Sequence, residues 1–368
     1  MYDAIIVGAR CGGSPTAMLL AREGYRVLLL DKSAFPSDIM STHYIQVPAV
    51  NQMQRWGVLQ DVIDAGTPPI ERIVFHFNGT EFIPPVDPAL DIKVAYCPRR
   101  SVLDNVLVHH ATNAGAELRE NVVVDGLLFE GDRVVGVRAH AKGGAAFEER
   151  ARMVVGADGQ HSLVAREAKA PEYNERPAYT CGYYAYFSGV GIKDALGYLG
   201  PDAGMLAFPT NDALTCIGVG APHDQFHAFR RDIEGEFYRR AEKASPEFAA
   251  QIRAGKREGP FIGTADTRNF FRKPWGDGWA LVGDAGYHKD FITGLGIMDA
   301  FRDAELLADA VDAGFAGRAP LAEALGGYEH KRNEQALPMY EFTCMLASGI
   351  DPEALAAGLP QPAPAAAE

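Results

Sequence analysis

The 368-residue chain is short of several things at once. It has five cysteines, Cys11, Cys97, Cys181, Cys216 and Cys344, an odd number with no CxxC or metal-like spacing. That argues against a disulfide framework and a metal site and favours a reducing compartment. No apolar run approaches the roughly 20 residues needed to cross a bilayer. The first ten residues, MYDAIIVGAR, carry no basic stretch ahead of an apolar one, so a cytoplasmic protein without a signal peptide is expected. Positive charge is also scarce: 35 lysines and arginines against 48 aspartates and glutamates leave a net charge of −13. Such a surface repels nucleic-acid backbones and anionic lipids, so neither nucleic acid nor membrane is expected as a partner. HExxH, GxSxG and P-loop lysine motifs are missing. What remains is a globular composition, 47% hydrophobic and 23% charged, long enough for two or three domains.

The opening segment says most. Residues 4–7 (AIIV) are an apolar run closed by Gly8, the pattern of a strand buried on both faces of a parallel sheet. The turn Gly8-Ala9-Arg10-Cys11-Gly12-Gly13 follows, then a helix over 14–23 stopped by Gly24, then a strand over 25–30 ending at Asp31 and Lys32. Strand, glycine turn, helix, strand and acid, in that order, form the opening half of a Rossmann unit. Arg10 stands where the second glycine of G-x-G-x-x-G would be. The turn still suits a pyrophosphate: Gly8 makes the tight turn, Gly13 lets the helix pack on the strand, and helix-start N–H groups meet the anion. Arg10 is expected to fold outward over the cofactor, and Asp31 to take a ribose diol. Cys11, near a helix N-terminus, is either a reactive thiol or a small residue filling a crowded turn.

Farther along, residues 67–96 read as short alternating strands, such as 73–77 (IVFHF), broken by prolines at 68, 69, 84, 85 and 88. A helix after Pro98 is expected to bury Val102, Leu103, Val106, Leu107 and His110, and a hairpin to span 121–139. Residues 151–156 (ARMVVG) read as a buried strand, 173–221 as antiparallel strands, and 225–243 as one helix with Phe229, Ile233 and Phe237 inward. A strand over 278–282 leads into Gly283-Asp284, a long helix covers 296–313, and another covers 321–346 with a break at Pro338. Residues 358–368 (GLPQPAPAAAE) are a Pro/Ala tail expected to be disordered.

Two later segments complete a set. Residues 154–162 (VVGADGQHS) with Arg166, and 279–285 (WALVGDA) followed by Gly294 and Gly296, resemble the DG and GD motifs of para-hydroxybenzoate hydroxylase-like (class A) flavoprotein monooxygenases. Geranylgeranyl reductases share that scaffold, and the resemblance runs to about residue 345. It implies an α/β fold: a Rossmann-like FAD-binding domain (three-layer ββα, GR2 type) of residues 1–70, 97–170 and 262–345. An antiparallel β-sheet substrate domain of 71–96 and 171–261 is interleaved with it, and 346–368 forms a tail. It implies FAD as cofactor and NAD(P)H as transient reductant. FAD contacts carry over to Gly8, Ala9, Arg10, Cys11, Gly12, Gly13, Asp31, Lys32, Ser41, Thr42, Arg100, Val123, Asp158, Gly283, Asp284, Gly294, Leu295 and Gly296.

Residues 286–296 (GYHKDFITGLG) are then the candidate reaction centre, where a helix N-terminus near Gly296 would stabilise negative charge on a reduced flavin. Phe291 replaces the family's proline, which reshapes the space for oxygen or caps an aromatic substrate. His288, Tyr287 and His43 are candidate acid/base groups, or plain hydrogen-bond formers. The substrate pocket is expected from Tyr184, Tyr186, Met205, Phe208 and Pro209, with Tyr183 and Phe187 nearby. The implied reaction is monooxygenation of a small aromatic or polyketide-like substrate through a flavin C4a-hydroperoxide. The alternatives are reduction of a prenyl-type or other C=C bond, or a non-catalytic flavin-fold binding protein. The halogenase WxWxIP signature is absent. A small-molecule substrate is the expected partner, on a monomer or homodimer.

Overall fold

A computed structural model describes residues 1–77, 80–200 and 204–349. Residues 350–368, which hold the Pro/Ala tail, lie outside the described residues. The first strand, Tyr2–Val7, lies between Val27–Leu30 and the second half of Ala146–Gly156, parallel to both. Trp279–Leu281 and Glu117–Arg119 extend the parallel sheet on either side, and Trp275–Gly276 closes one edge antiparallel. Because side chains alternate along a strand, this sheet is covered twice. Ile6, Leu29 and Val155 face the helices Gly13–Arg22, Arg100–Asn113 and Gly296–Phe315. Ile5, Leu28 and Val154 face a meander of Val122–Glu130, Arg133–Ala141 and the first half of Ala146–Gly156. These are the three layers expected, with one long strand serving two of them.

A second sheet has seven strands in the order Lys256–Thr264, Thr180–Ser188, Thr215–Pro222, Gly204–Pro209, Ala195–Leu199, Ile73–Phe77 and Thr80–Phe82. Its back buries Tyr183, Phe187, Met205, Ile217 and Val219 against Phe229, Phe237 and Phe248 of three helices. Its front presents Tyr184, Tyr186, Leu206 and Phe208 toward the first domain. Among the described residues no helix is long and apolar enough to cross a membrane.

Several expectations need correction. The helix expected over 225–243 is two, Phe226–Arg231 and Ile233–Ala244, because the Asp232 carboxylate accepts the Gly235 N–H at 3.0 Å and starts a new helix. A further helix, Pro246–Ala254, begins at Ser245 in the same way. The last helix, Leu321–Ala347, runs through Pro338 rather than breaking there. Glu172–Arg176, expected in the substrate domain, pairs instead with Asn269–Arg272 in a small sheet completed by Tyr287–His288. The Arg100–Asn113 helix buries Arg100, Leu103, Asp104, Leu107, Val108 and Ala111, leaving Val102, Val106 and His110 partly exposed. Two charged residues on the inward stripe hid it from a hydrophobic pattern.

Candidate active site

At the nucleotide end, backbone crowding dictates the sequence. Gly8 has φ +102°, and a Cβ there would lie 2.4 Å from the Ala157 carbonyl oxygen; one on Gly13 would lie 1.7 Å from the Gly8 oxygen. Neither position accepts a side chain. The Gly12 and Gly283 backbones also approach each other, so the N-terminal turn and the GD turn meet. Asp31 is buried, and its two carboxylate oxygens accept the N–H groups of Ala9 at 2.7 Å and Ser33 at 2.8 Å. It therefore braces the turn while each oxygen keeps a lone pair for a ribose hydroxyl. The Val122 N–H donates to the Asp31 carbonyl at 2.9 Å, which brings Val123 beside it, and Lys32 is exposed next door.

Arg10 does not fold outward as expected. Its guanidinium is held by Asp104 and by Ser37 Oγ at 2.9 Å, over the Phe35 ring. Asp104 has no exposed surface and also accepts Arg100 Nε at 3.0 Å and Nη2 at 2.8 Å. Two cations on one carboxylate leave one net positive charge at the mouth of the glycine turn, in an otherwise acidic protein. Asp104 escaped the sequence reading: an acid four residues after an arginine looks like an ordinary surface helix pair. Cys11 Sγ also faces Asp104, and burial pushes its thiol up to about 12, so it fills the turn and is no reactive thiolate. Asp158 accepts the N–H groups of Leu163 at 2.7 Å and Val164 at 3.3 Å, capping a short helix, while its Oδ1 is buried with no hydrogen-bond partner among the described residues. Asp284 is exposed between buried Gly283 and Ala285, and its charge is felt by Arg100.

The opposite end is open. Gly294 has φ +62° and only Tyr44 nearby, at 3.8 Å from a built Cβ. A Cβ on Gly296, the first residue of its helix, meets nothing within 4 Å, and Leu295 just before it is buried. Ser41 Oγ accepts the His43 N–H at 3.0 Å, and the Thr42 carbonyl receives the Cys97 thiol. His43 is fully buried at φ +64°, with Nε2 2.7 Å from Tyr186 Oη and its ring edge-on to Tyr184. Burial, reinforced by Arg100, lowers its pKa to about 3, so the imidazole is neutral.

Phe291 sits with its ring over Gly182 of the large sheet; a Cβ there would come within 3.0 Å of Phe291 Cζ. The loop beneath it is tied down by Asp290, which accepts Thr180 Oγ1 at 2.6 Å and donates its N–H to Asn269 at 2.7 Å. Sequence reading missed Thr180 and Asn269, which come from distant segments with no motif of their own, and passed over Asp290 inside the 286–296 segment. Tyr287 and His288 are both engaged in contacts within the protein. Tyr287 is buried, stacked on Phe271 at 4.5 Å, and its hydroxyl accepts Lys289 Nζ at 2.9 Å. His288 bonds the Arg268 carbonyl through Nδ1 at 2.5 Å and stacks on Phe270. Both sit in the small sheet, where they pair with Phe271 and Phe270 and point to opposite faces.

Where the open end meets the front of the large sheet there is a cavity of about 120 Å³, lined by Tyr44, Gln46, Ile73, Phe75, Pro84, Leu206, Phe208, Ile292, Thr293 and Gly294. Phe208 stacks on Tyr44 at 4.9 Å. Of the expected pocket residues, Phe208 lines it, and Tyr184 and Tyr186 share its sheet face farther along. Met205 does not: strand alternation sends it to the back, with Phe229 and Phe237, along with Tyr183 and Phe187. Pro209 takes the Met205 parity on the same strand. Tyr44, next to His43, and Phe75, in an ordinary strand, were missed because nothing in their local sequence marks them as lining a cavity. A second cavity, about 450 Å³, gathers His161, Arg166, Lys169, Arg268 and Arg272 beside Glu172 and Asp266.

The groove from Asp31 to Gly294 suits an extended FAD. It offers a glycine cradle closed to side chains at the pyrophosphate position, a net positive cluster beside it, an exposed Asp284 midway, and an open helix start at Gly296. A Rossmann unit with such a groove, capped by an antiparallel sheet, defines an FAD-dependent oxidoreductase. The chain belongs to the FAD binding domain family, whose model matches residues 1–343. It is 28% identical over 327 residues to a digeranylgeranylglycerophospholipid reductase of Methanosarcina acetivorans, covering 84% of this chain and 75% of that one. It is 24% identical to a tryptophan 2-halogenase of Chondromyces crocatus, covering 88% and 64%. Among solved structures, the myxobacterial chondrochloren halogenase CndH superposes with a TM-score of 0.86 at 24% identity, covering 97% and 88%. PqsL of P. aeruginosa, in complex with 2-aminobenzoylacetate, gives 0.81 at 22% identity, covering 95% and 96%.

Proposed function

We propose that this chain is an FAD-dependent monooxygenase that uses NAD(P)H and O₂ to oxygenate a small aromatic or polyketide-like substrate. The observation that carries it is the 120 Å³ cavity, walled by Tyr44, Phe75 and Phe208 and opening at Gly294, with no ionisable acid or base among its lining side chains apart from the Tyr44 phenol. Burial raises that phenol well above its ordinary range, so it stays neutral. A pocket of this kind holds and orients an aromatic ring but offers no protein nucleophile or general base, so the chemistry falls to the bound cofactor. FAD, when bound, supplies reducing equivalents and the site at which oxygen is activated. The chain's own residues do the rest. The N-terminus of Gly296–Phe315 stabilises negative charge, Phe291 on Gly182 keeps water out, and the Thr180–Asp290–Asn269 bonds hold the loop. The larger cavity suits the phosphates of NAD(P)H, since neither Arg166 nor Lys169 has an ion pair among the described residues.

A second reading, reduction of a C=C bond, is favoured by the reductase relatives at 28% identity. Product analysis separates the two. The FAD-loaded protein is incubated with NAD(P)H and candidate aromatics, with and without O₂. One added oxygen atom, only in air, supports monooxygenation; two added hydrogens without O₂ support reduction and contradict it.

A further inference from the structure

Seven large apolar side chains stand exposed among the described residues: Met1, Ile39, Phe82, Ile83, Val86, Phe129 and Met339. Three of them, Phe82 at 55%, Ile83 at 44% and Val86 at 37% exposure, fall within five residues, and the segment they form is anchored by Pro84, which lines the 120 Å³ cavity. The sheet register makes the connection closer. Phe82, on the edge strand, lies directly opposite Phe75, which lines the same cavity. Residues directly opposite on neighbouring strands point to the same face. An apolar row therefore runs from the cavity wall through Phe75 to Phe82 at the sheet edge, and the exposed Ile83 and Val86 follow Phe82 in the chain.

We infer that this segment is a binding lip for an apolar extension of the substrate, whose ring occupies the cavity. The inference rests on the aromatic reading of that cavity. The size of the cavity argues for it: an engineered cavity of about 150 Å³ takes one benzene, so about 120 Å³ holds a single ring and little more. Anything attached to that ring leaves past Pro84 and meets Phe82, Ile83 and Val86. Other occupants fit less well. Pro84 and Pro85 end the three-residue edge strand and lack N–H donors, so the edge is a poor template for pairing with another strand. Glu81, Asp87 and Asp91 flank the lip, and Lys93 gives its ammonium to the carbonyls of Asp87, Pro88 and Leu90. That charge balance repels an anionic membrane. The prolines also fix the lip before binding, which lowers the ordering entropy an apolar chain must overcome.

The test uses the FAD-loaded full chain and 4-alkylphenols from methyl to octyl, with dissociation constants read from the perturbed flavin spectrum. Each methylene buried on the lip should tighten binding about threefold to fourfold. A Phe82→Ser, Ile83→Ser, Val86→Ser triple variant, altered only at exposed positions, should bind 4-methylphenol as the parent does and lose most of the gain per methylene. Phe82→Ser alone should lose part of it. If 4-methylphenol binds but longer chains bring no gain, or the triple variant keeps the full gain, the lip is overturned and the aromatic pocket stands. If no member of the series perturbs the flavin, the aromatic reading falls and the lip with it. Lip-dependent sedimentation with phosphatidylcholine vesicles would assign the segment to a membrane and also overturn the proposal.

Discussion

Two helices of this protein begin with glycine beside the cofactor groove, and they need it for opposite reasons. At Gly13 an added methyl would strike the Gly8 carbonyl at 1.7 Å; at Gly296 it would meet no atom of the described residues within 4 Å beyond its chain neighbours and its own helix backbone. The first glycine is required by the chain itself, because strand, turn and helix close on one another there. The second leaves room that the protein does not use. The nucleotide end is thus a seat whose residues also hold the fold together, whereas backbone crowding places no such demand on Gly296 at the ring end.

The sharpest way to break this contrast is Gly13→Ala. The collision cannot be relieved by a side-chain rotation, so a stability loss of order 4 kcal/mol or more is expected, read as a collapse of the melting temperature and of FAD content. A variant that melts like the parent would remove the basis of the contrast. Next comes Asp104→Asn, which strands Arg10 and Arg100 on a neutral group; breaking a buried pair in this way costs about 3 kcal/mol, measured by urea unfolding. Survival without loss would mean that the cluster is held by other contacts.

His43 tests the ring end through pH. Its folded pKa, about 3, lies below the ordinary value near 6.5. The unfolded chain therefore binds the proton first, and this stabilisation is complete above pH 6.5 and is lost as pH falls toward 3. The slope is about 1.4 kcal/mol per pH unit at most. Asp158, Asp290 and Asp303 have raised pKa values because they are buried, and they act in the opposite direction. The comparison is therefore between the parent and His43→Asn, which tolerates the left-handed backbone. The parent should lose more stability on acidification; parallel curves would show that His43 is not held neutral. The smallest effect on the fold belongs to Gly296→Ala. Unfolding should change by no more than about 1 kcal/mol, toward greater stability, while FAD affinity falls. An unfolding loss as large as that of Gly13→Ala would erase the distinction.

The same contrast explains what the sequence revealed. The Gly8–Gly13 turn, the strand into Asp31 and the Gly283 turn announce themselves because backbone crowding permits so few residues there. The three-layer fold followed from the family resemblance that those turns carry. Tyr184, Tyr186 and Phe208 stand on the front of the substrate sheet and Met205 on its back, a distinction of one residue in register that composition does not display. Asp104 and Tyr44 stand beside candidate residues, and Phe75 in an ordinary strand, but all three matter only through neighbours that the fold brings together. Tyr287 and His288, adjacent to the GD turn in sequence, are taken up by pairing and stacking with Asn269–Arg272.

The most direct test of the central claim, that the groove from Asp31 to Gly294 seats the FAD and the aromatic cavity at its end seats the substrate, is a crystal structure of the FAD-loaded protein soaked with 4-methylphenol. The account predicts the cofactor running from Asp31 past Asp284 to Gly296, with the phenol ring between the flavin and Phe208. A phenol found instead in the cavity of Arg166 and Arg268, or a flavin lying away from Gly294, would contradict it.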